Sequence, residues 1–163
     1  MRTFPIPSDS EHQPQANILT VDDDPDIGMA LTDLLEGEGY GVKVVTTGRE
    51  ALDTTQRQHF DAVLLDVGLP DLNGMDVLHR MVKRDPQLPV ILLTVYNASD
   101  LKIDPHNLRG AFAYLTKPFN REKLKATIDR AIGGKGLVTH AGSPPPDPDL
   151  HRPTTPYGGG SLP

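Results

Sequence analysis

"FDAVLLDVGLPDLNG", residues 60–74, contains the clearest strand pattern of the chain together with the acid that ends it. Four apolar residues, Ala62 to Leu65, lead directly into Asp66, and a glycine, a proline and an Asn-Gly pair follow. A short apolar run bounded by turn residues is typical of a strand that is buried on both faces of a parallel sheet. The sequence therefore predicts a central strand whose carboxyl end presents a carboxylate.

Strand and helix patterns alternate on both sides of this stretch. Four further strands are predicted, in NILTV (17–21), GVKVVTT (41–47), LPVILLT (88–94) and AFAYLT (111–116). Helical periodicity is found in residues 25–39, 48–59, 74–85 and 120–132, and a weaker apolar stripe in residues 96–111. Because parallel strands need crossover connections, five strand–helix units predict an α/β domain with helices on both faces of the sheet.

Composition limits the classes of function. The 163 residues are 37% hydrophobic and include no cysteine, which excludes disulfides and thiolate metal sites. The formal net charge of -6 argues against direct nucleic-acid binding. No apolar run approaches a membrane span, so we expect no membrane contact and a cytoplasmic location. Residues 1–16 and the Pro/Gly-rich residues 134–163 are predicted to be disordered tails, the second one alternatively a linker, around a domain at 17–133.

Charged and polar side chains follow the predicted strands at their carboxyl ends. Asp22 and Asp23 follow the first strand, Asp66 and Thr94 end the third and fourth, and Lys117 follows the fifth. Ligands of open parallel sheets bind at this edge. Two carboxylates ~4 Å apart repel by about 4 kcal/mol at an effective dielectric constant near 20. Mg²⁺ relieves such repulsion and binds phosphate oxygens, so the pattern predicts a magnesium site and a phosphoryl acceptor at Asp66.

Four motifs carry a family resemblance. ILTVDDDPDIG, DAVLLDVGLPDLNGMDVL, VILLT and AYLTKPF resemble, in this order, the receiver domain of two-component response regulators over residues 17–133. The resemblance implies a flavodoxin-like, doubly wound, five-stranded parallel sheet in the order 2-1-3-4-5, flanked by five helices. It also implies that Asp66 is the phosphorylated aspartate and Asp23 the main Mg²⁺ carboxylate. Asp22 would be a ligand or a water-mediated partner, and the backbone carbonyl of Gly68 would complete the metal shell.

The resemblance extends to the phosphate contacts. Thr94 and Lys117 match the pair that contacts the phosphoryl group, and the Lys117–Pro118 peptide bond is expected to be cis. Tyr114 matches an aromatic switch residue that turns inward when the threonine follows the phosphoryl group. An ordinary packing role for Tyr114 in its strand is the alternative.

Two positions depart from the family pattern. Val95 follows Thr94 where the family usually has a smaller residue, so we expect it to crowd the phosphoryl group and to lower reactivity toward small acyl phosphates. Pro105 interrupts the fourth predicted helix, which we expect to be shortened or broken because an interior proline costs about 3 kcal/mol. An altered fourth helix would change the dimer mode and the output partner.

The leading hypothesis is a phosphoaccepting signalling module rather than an enzyme. A histidine kinase or a histidine phosphotransfer protein would donate to Asp66 in the presence of Mg²⁺. The face of the fourth helix, fifth strand and fifth helix would then signal to a downstream protein or form a homodimer. A receiver fragment of a larger transcriptional regulator is an alternative. An aspartyl-nucleophile phosphatase is disfavoured because Gly68 occupies the position of its second acid, and the DDDPD sequence disfavours a dinucleotide-binding domain.

Overall fold

A computed structural model describes residues 13–95 and 109–134. The described residues form five strands and four helices. The strands are β1 (Asn17–Val21), β2 (Gly41–Val45), β3 (Ala62–Asp66), β4 (Val90–Thr94) and β5 (Ala113–Thr116). The helices are α1 (Pro25–Gly37), α2 (Gly48–Arg57), α3 (Gly74–Arg84) and α4 (Arg121–Gly133). None of these four helices combines the length and the apolar character that a membrane crossing requires.

The sheet has the predicted topology. All four neighbouring strand pairs are parallel, and the order is β2-β1-β3-β4-β5. β1 and β3 lie in the interior of the sheet and are buried along nearly their whole length. The carboxyl ends of β1, β3 and β4 therefore meet at one edge, which is where the sequence places its acids.

The core consists of two apolar layers, one on each face of the sheet. Side chains of successive strand residues point to opposite faces, so Leu64 and Leu65 of β3 belong to different layers. One layer packs beneath α2 and α3 and includes Val77 and Leu78. The other packs beneath α1 and α4 and includes Leu124. Both faces of the sheet are thus covered, as a continuous apolar strand requires.

Each described helix begins at a side-chain cap. The Asp24 carboxylate caps α1 and accepts from the Asp26 N–H at 2.9 Å, and Pro25 lies in the first turn as predicted. Thr47 and Asn73 cap α2 and α3. The Asn120 side chain caps α4 and accepts from the Lys123 N–H at 2.7 Å. The helix starts are consequently fixed by local sequence.

Several boundaries differ from the sequence prediction. β2 ends at Val45 rather than at residue 47, because Thr47 is already the cap of α2. β4 begins at Val90, after a proline that has no N–H to donate. Most of the predicted fourth helix lies at 96–108, outside the described residues, so α4 corresponds to the fifth predicted helix. Ala16 is 4% exposed and packs in the core, whereas the other residues of the expected tails lie mainly outside the described ranges.

Thr20, in the middle of β1, is buried with an unsatisfied hydroxyl. It is fully buried, and within the described part of the chain its Oγ1 has no hydrogen-bond partner. An unsatisfied buried hydroxyl costs about 1–3 kcal/mol. We expect Thr20→Val, which keeps the shape and removes the polar atom, to raise the free energy of unfolding by about 1 kcal/mol in urea titration. Thr20→Ser, which keeps the hydroxyl, should lower the free energy of unfolding. If the valine variant is no more stable than the wild type, the prediction is wrong.

Tyr40 links the turn before β2 to α4. Its hydroxyl donates to Asp129 Oδ1, and burial together with this bond raises the pKa of Tyr40 to about 12. A phenol with a raised pKa contributes stability that is fully present below pH 10.0 and is lost as pH rises toward about 12. We expect Tyr40→Phe to lower the free energy of unfolding by about 1 kcal/mol at neutral pH. Urea titrations between neutral pH and pH 12 should show this difference shrinking, and a constant difference would contradict the assignment.

Candidate functional site

Three carboxylates converge at the carboxyl edge of the sheet. Oxygen atoms of Asp22, Asp23 and Asp66 all lie within 4.8 Å of one another. Asp22 is 1% exposed and Asp66, the last residue of β3, is 9% exposed, whereas Asp23 faces solvent. Their proximity follows from the register, because β1 and β3 are adjacent and Val21 pairs with Leu65. The structure therefore brings together the three acids that the sequence selected; we call them the acid cluster.

Backbone N–H groups orient the two buried carboxylates. Asp22 Oδ1 accepts from the Asp24 N–H at 3.0 Å, and Asp66 Oδ1 accepts from the Gly68 N–H at 3.1 Å. Each carboxylate thus has one oxygen engaged by the loop that follows its strand. The second oxygen of each remains directed toward the charged partners of the cluster.

Lys117 supplies the positive charge of the site. Its Nζ lies 2.6 Å from Asp22 Oδ2 and 3.4 Å from Asp66 Oδ2, and its side chain is 11% exposed. The Lys117 N–H donates to the Thr94 carbonyl at 2.6 Å, which holds the lysine beside the end of β4. The Lys117–Pro118 peptide bond is cis, as the resemblance implied. One ammonium group therefore bridges two buried carboxylates.

Thr94 and Tyr114 lie on the neighbouring strands β4 and β5. Thr94 ends β4, is 4% exposed and pairs in register with Thr116. Tyr114 pairs with Leu92 and packs against the apolar layer beneath α2 and α3. Val95, directly after Thr94, is 65% exposed. The switch role of Tyr114 and the effect of Val95 on donor access stay predictions.

Gly74 has a structural role that the sequence pattern did not indicate. A Cβ atom at this position would lie 2.6 Å from the Asp66 carbonyl oxygen and 2.6 Å from Val67 Cα. Any side chain here would push the start of α3 away from the end of β3. The Asn73-Gly74 pair by itself indicates only a turn. The contact of Gly74 with the backbone of Asp66 depends on a loop path that local sequence does not specify.

The donor set of the acid cluster fits a magnesium ion. Carboxylate oxygens are the ligands that Mg²⁺ prefers, and it usually takes one or two of them together with water and phosphate oxygens. Two clustered carboxylates are buried, and one ammonium offsets only part of their charge. Asp22, Asp23 and Asp66 would hold the ion. The ammonium group of Lys117 already contacts two of these carboxylates, Asp22 and Asp66. Gly68, whose carbonyl the resemblance adds, lies two residues after the end of β3.

Sequence comparison identifies the family. The model of the response regulator receiver domain matches residues 18–129, and the chain belongs to this family. It is a receiver domain of the two-component response regulator type. The chain is 42% identical over 125 residues to the uncharacterized transcriptional regulatory protein YkoG of Bacillus subtilis, covering 77% of this chain and 54% of that one. It is 35% identical to the probable transcriptional regulatory protein TcrX of Mycobacterium tuberculosis, and the match covers 75% of this chain and 52% of TcrX.

Solved structures agree with this assignment. The response regulator TrrA of Thermotoga maritima, crystallised in complex with Mg²⁺ and BeF, is 33% identical with a TM-score of 0.64, covering 71% of this chain and 97% of that one. A CheY-like receiver domain protein of Methanospirillum hungatei is 32% identical with a TM-score of 0.67, and the match covers 73% of this chain and 94% of that one. The match thus spans nearly all of these two solved chains but only about half of YkoG and TcrX.

Proposed function

We propose that the chain accepts a phosphoryl group on Asp66 in a two-component phosphorelay and requires Mg²⁺ to do so. The observation that carries the proposal is the position of Asp66, a nearly buried carboxylate that ends β3 inside the acid cluster and faces Lys117 at 3.4 Å. A structural acid at a strand end would not need two further carboxylates and a bridging ammonium beside it. The magnesium complex of TrrA, a related receiver, supports the choice of metal.

In the proposed reaction an Asp66 oxygen attacks the phosphorus of a phosphohistidine on a histidine kinase or phosphotransfer protein. The new O–P bond forms as the P–N bond breaks, and the imidazole leaves with the electron pair of that bond. The Gly68 N–H fixes the carboxylate orientation through Oδ1. Lys117, already 3.4 Å from the other Asp66 oxygen, would stabilise charge on the transferred phosphoryl oxygens. Thr94 would donate a hydrogen bond to another of these oxygens.

Asp22, Asp23 and Asp66 would hold a magnesium ion, which would supply positive charge to offset the negative charge of the phosphoryl group. The chain's own residues perform the other tasks. Asp22 and Asp23 offer ligand oxygens, and the nearly buried position of Asp66 limits the access of water to its carboxylate. On this proposal the chain catalyses only its own phosphorylation and dephosphorylation, so it is not an enzyme acting on separate substrates.

Phosphorylation would change the surface near β5. The phosphoryl group would carry a charge of about -2 in place of the carboxylate's -1, and its oxygens would draw Thr94 and allow Tyr114 to turn inward. The surface around β5 and α4 would then signal to a downstream protein or to a second copy of the chain. The expected contribution of the fourth predicted helix concerns residues 96–108, outside the described ranges.

The proposal is tested by phosphorylation with a small-molecule donor, acetyl phosphate, in magnesium buffer and over long incubation. We expect a mass gain of one phosphoryl group, lost on treatment with hydroxylamine and mapped to Asp66 by peptide mass spectrometry. Removing Mg²⁺ with a chelator should prevent the gain. Absence of label from both acetyl phosphate and a panel of histidine kinases, with folded protein, would overturn the proposal.

The nature of the relatives supports a second proposal about output. YkoG and TcrX are named as transcriptional regulators, and this chain spans about half of each. A receiver that belongs to such a regulator would control DNA binding by another part of the protein, while the receiver itself makes no direct nucleic-acid contact. Co-purification of partners with the wild type and with Asp66→Asn, followed by mass spectrometry, tests the alternative of protein–protein signalling. Partner proteins that are lost with Asp66→Asn would favour that alternative over control of DNA binding within the same protein.

A further inference from the structure

The loop between β3 and α3, residues 67–73, controls the surroundings of Asp66; we call it the acceptor loop. The Gly74 N–H donates to the Val67 carbonyl at 3.1 Å and closes the loop on itself. Inside it, the Gly68 N–H donates to Asp66 Oδ1 at 3.1 Å. A shift of this loop would therefore turn the Asp66 carboxylate and displace the backbone of Gly68.

Asp71 ties the acceptor loop to α2. Its Oδ1 accepts from the Gly48 N–H at 2.8 Å, and its Oδ2 accepts from the Arg49 N–H at 3.0 Å. Both donors belong to the first turn of α2, where backbone N–H groups have no partner within the helix. Partial desolvation raises the pKa of Asp71, but these backbone hydrogen bonds outweigh it, so the net pKa lies below its ordinary value. The loop and the helix are thus joined by a two-point contact.

Apolar packing makes the same connection. A Cβ atom added at Gly48 would lie 2.7 Å from Val77 Cγ2 and 3.1 Å from Leu72 Cβ, so the start of α2 lies directly against the acceptor loop and α3. α2 itself is anchored by Ala51, which is fully buried in the core. The helix therefore gives the loop a rigid support.

The N-terminal turn of α2 has a second, independent cap. The Thr47 hydroxyl accepts from the Glu50 N–H at 3.2 Å and belongs to the same chain segment as the helix. Thr47 and Asp71 thus bond different N–H groups of the same turn, but only Asp71 belongs to the acceptor loop. This division allows a structural effect on α2 to be separated from an effect on the loop.

We propose that Asp71 is a positioning residue for the acid cluster. By holding the first turn of α2 with both carboxylate oxygens, it orders the acceptor loop before metal or donor arrives, so that Asp66 and Gly68 are already in place. The inference rests on the proposed function of Asp66. Without this contact the loop would have to be ordered during binding, and the lost conformational freedom would weaken binding and slow transfer.

The test compares three variants of the full chain: Asp71→Ala, Asp71→Asn and Thr47→Ala. Mg²⁺ affinity is measured by isothermal titration of the metal alone, the rate constant of phosphorylation by acetyl phosphate by intact mass, and stability by thermal unfolding. Partners that orient metal ligands typically cost about 10–100-fold in affinity or activity when removed. We expect Asp71→Ala to weaken Mg²⁺ binding and to lower the rate constant by about 10-fold each. Thr47→Ala should lower the unfolding temperature and leave both other quantities unchanged.

Asp71→Asn keeps one acceptor oxygen and the shape of the side chain. We expect an intermediate loss of about 3-fold in Mg²⁺ affinity and rate constant, which is a partial rescue relative to alanine. If Asp71→Ala and Thr47→Ala have the same Mg²⁺ affinity and rate constant, the positioning role is wrong. Should Asp71→Ala fail to fold, the Mg²⁺ affinity and rate constant of Asp71→Asn are compared with those of Thr47→Ala, and equal values would again show that the positioning role is wrong. If the wild type binds Mg²⁺ but accepts no phosphoryl group, the proposed function is wrong. The role of Asp71 is then still tested, because the Mg²⁺ affinities of the wild type and the Asp71 variants can be compared.

Discussion

Asp66→Asn is expected to abolish phosphoryl acceptance while leaving the fold intact. An amide oxygen is a far weaker nucleophile than a carboxylate, and no other described residue takes the position of Asp66 at the end of β3. The rate constant of phosphorylation by acetyl phosphate, followed by intact mass, should fall by about 100-fold or more. Asn keeps the Oδ1 acceptor for the Gly68 N–H, so the unfolding temperature should change little.

Asp24→Asn is the matched control for this prediction. Asp24 lies at the same edge of the sheet, is exposed and caps α1, and asparagine is an equally good cap. It removes one carboxylate near the acid cluster without removing a member of it. We expect a rate constant within about 2-fold of the wild type, since only long-range charge is altered. If both variants lose activity equally, general charge at this edge rather than the Asp66 nucleophile accounts for the reaction.

Lys117→Met is expected to destabilise the protein and to strengthen magnesium binding at the same time. Its ammonium bridges Asp22 and Asp66, and removing one partner of a buried ion pair typically costs about 3 kcal/mol. Calorimetric unfolding in metal-free buffer should show this loss, and millimolar Mg²⁺ should restore part of it. Because a competing cation is removed, the Mg²⁺ dissociation constant should fall by about 10-fold.

Phosphorylation separates the two roles of Lys117. Although the variant binds metal more tightly, it lacks the ammonium that would contact the transferred phosphoryl group, so its rate constant should fall at saturating Mg²⁺. Lys123→Met, at an exposed position in the first turn of α4, serves as the control and should match the wild type in all three measurements. Weaker Mg²⁺ binding by Lys117→Met would show that the lysine organises the acid cluster rather than competing with the metal.

The strand ends could be predicted because burial and chemistry coincide there. An uninterrupted apolar run such as 62–65 predicts a strand, and the first charged residue after it must lie at the carboxyl edge of a parallel sheet. The acid cluster and Lys117 are predictable in this way from a single chain. The strand order 2-1-3-4-5 and the cis bond at Pro118 came from the family resemblance, and both are confirmed.

The acceptor loop could not be predicted in the same way. Asp71 and Gly74 lie in a turn-rich segment whose backbone path is set by contacts with α2 and the end of β3 rather than by local propensity. Sequence periodicity carries no information about which backbone N–H group a loop aspartate will find. The boundary of β2 was predicted two residues too late for a related reason, since a threonine serves equally well as a strand residue and as a helix cap.

The parallel sheet determines where the described chain enters and leaves the domain. The Gln15 N–H donates to the Gly39 carbonyl at 2.9 Å, at the amino edge of the sheet, and Asp129, in the last third of α4, accepts from Tyr40 at that same edge. Both exits therefore lie across the sheet from Asp66. In a variant limited to residues 13–134, a fluorescent reporter or a surface anchor joined at either end would be attached across the sheet from the acid cluster. Such a variant would suit binding measurements with an immobilised domain.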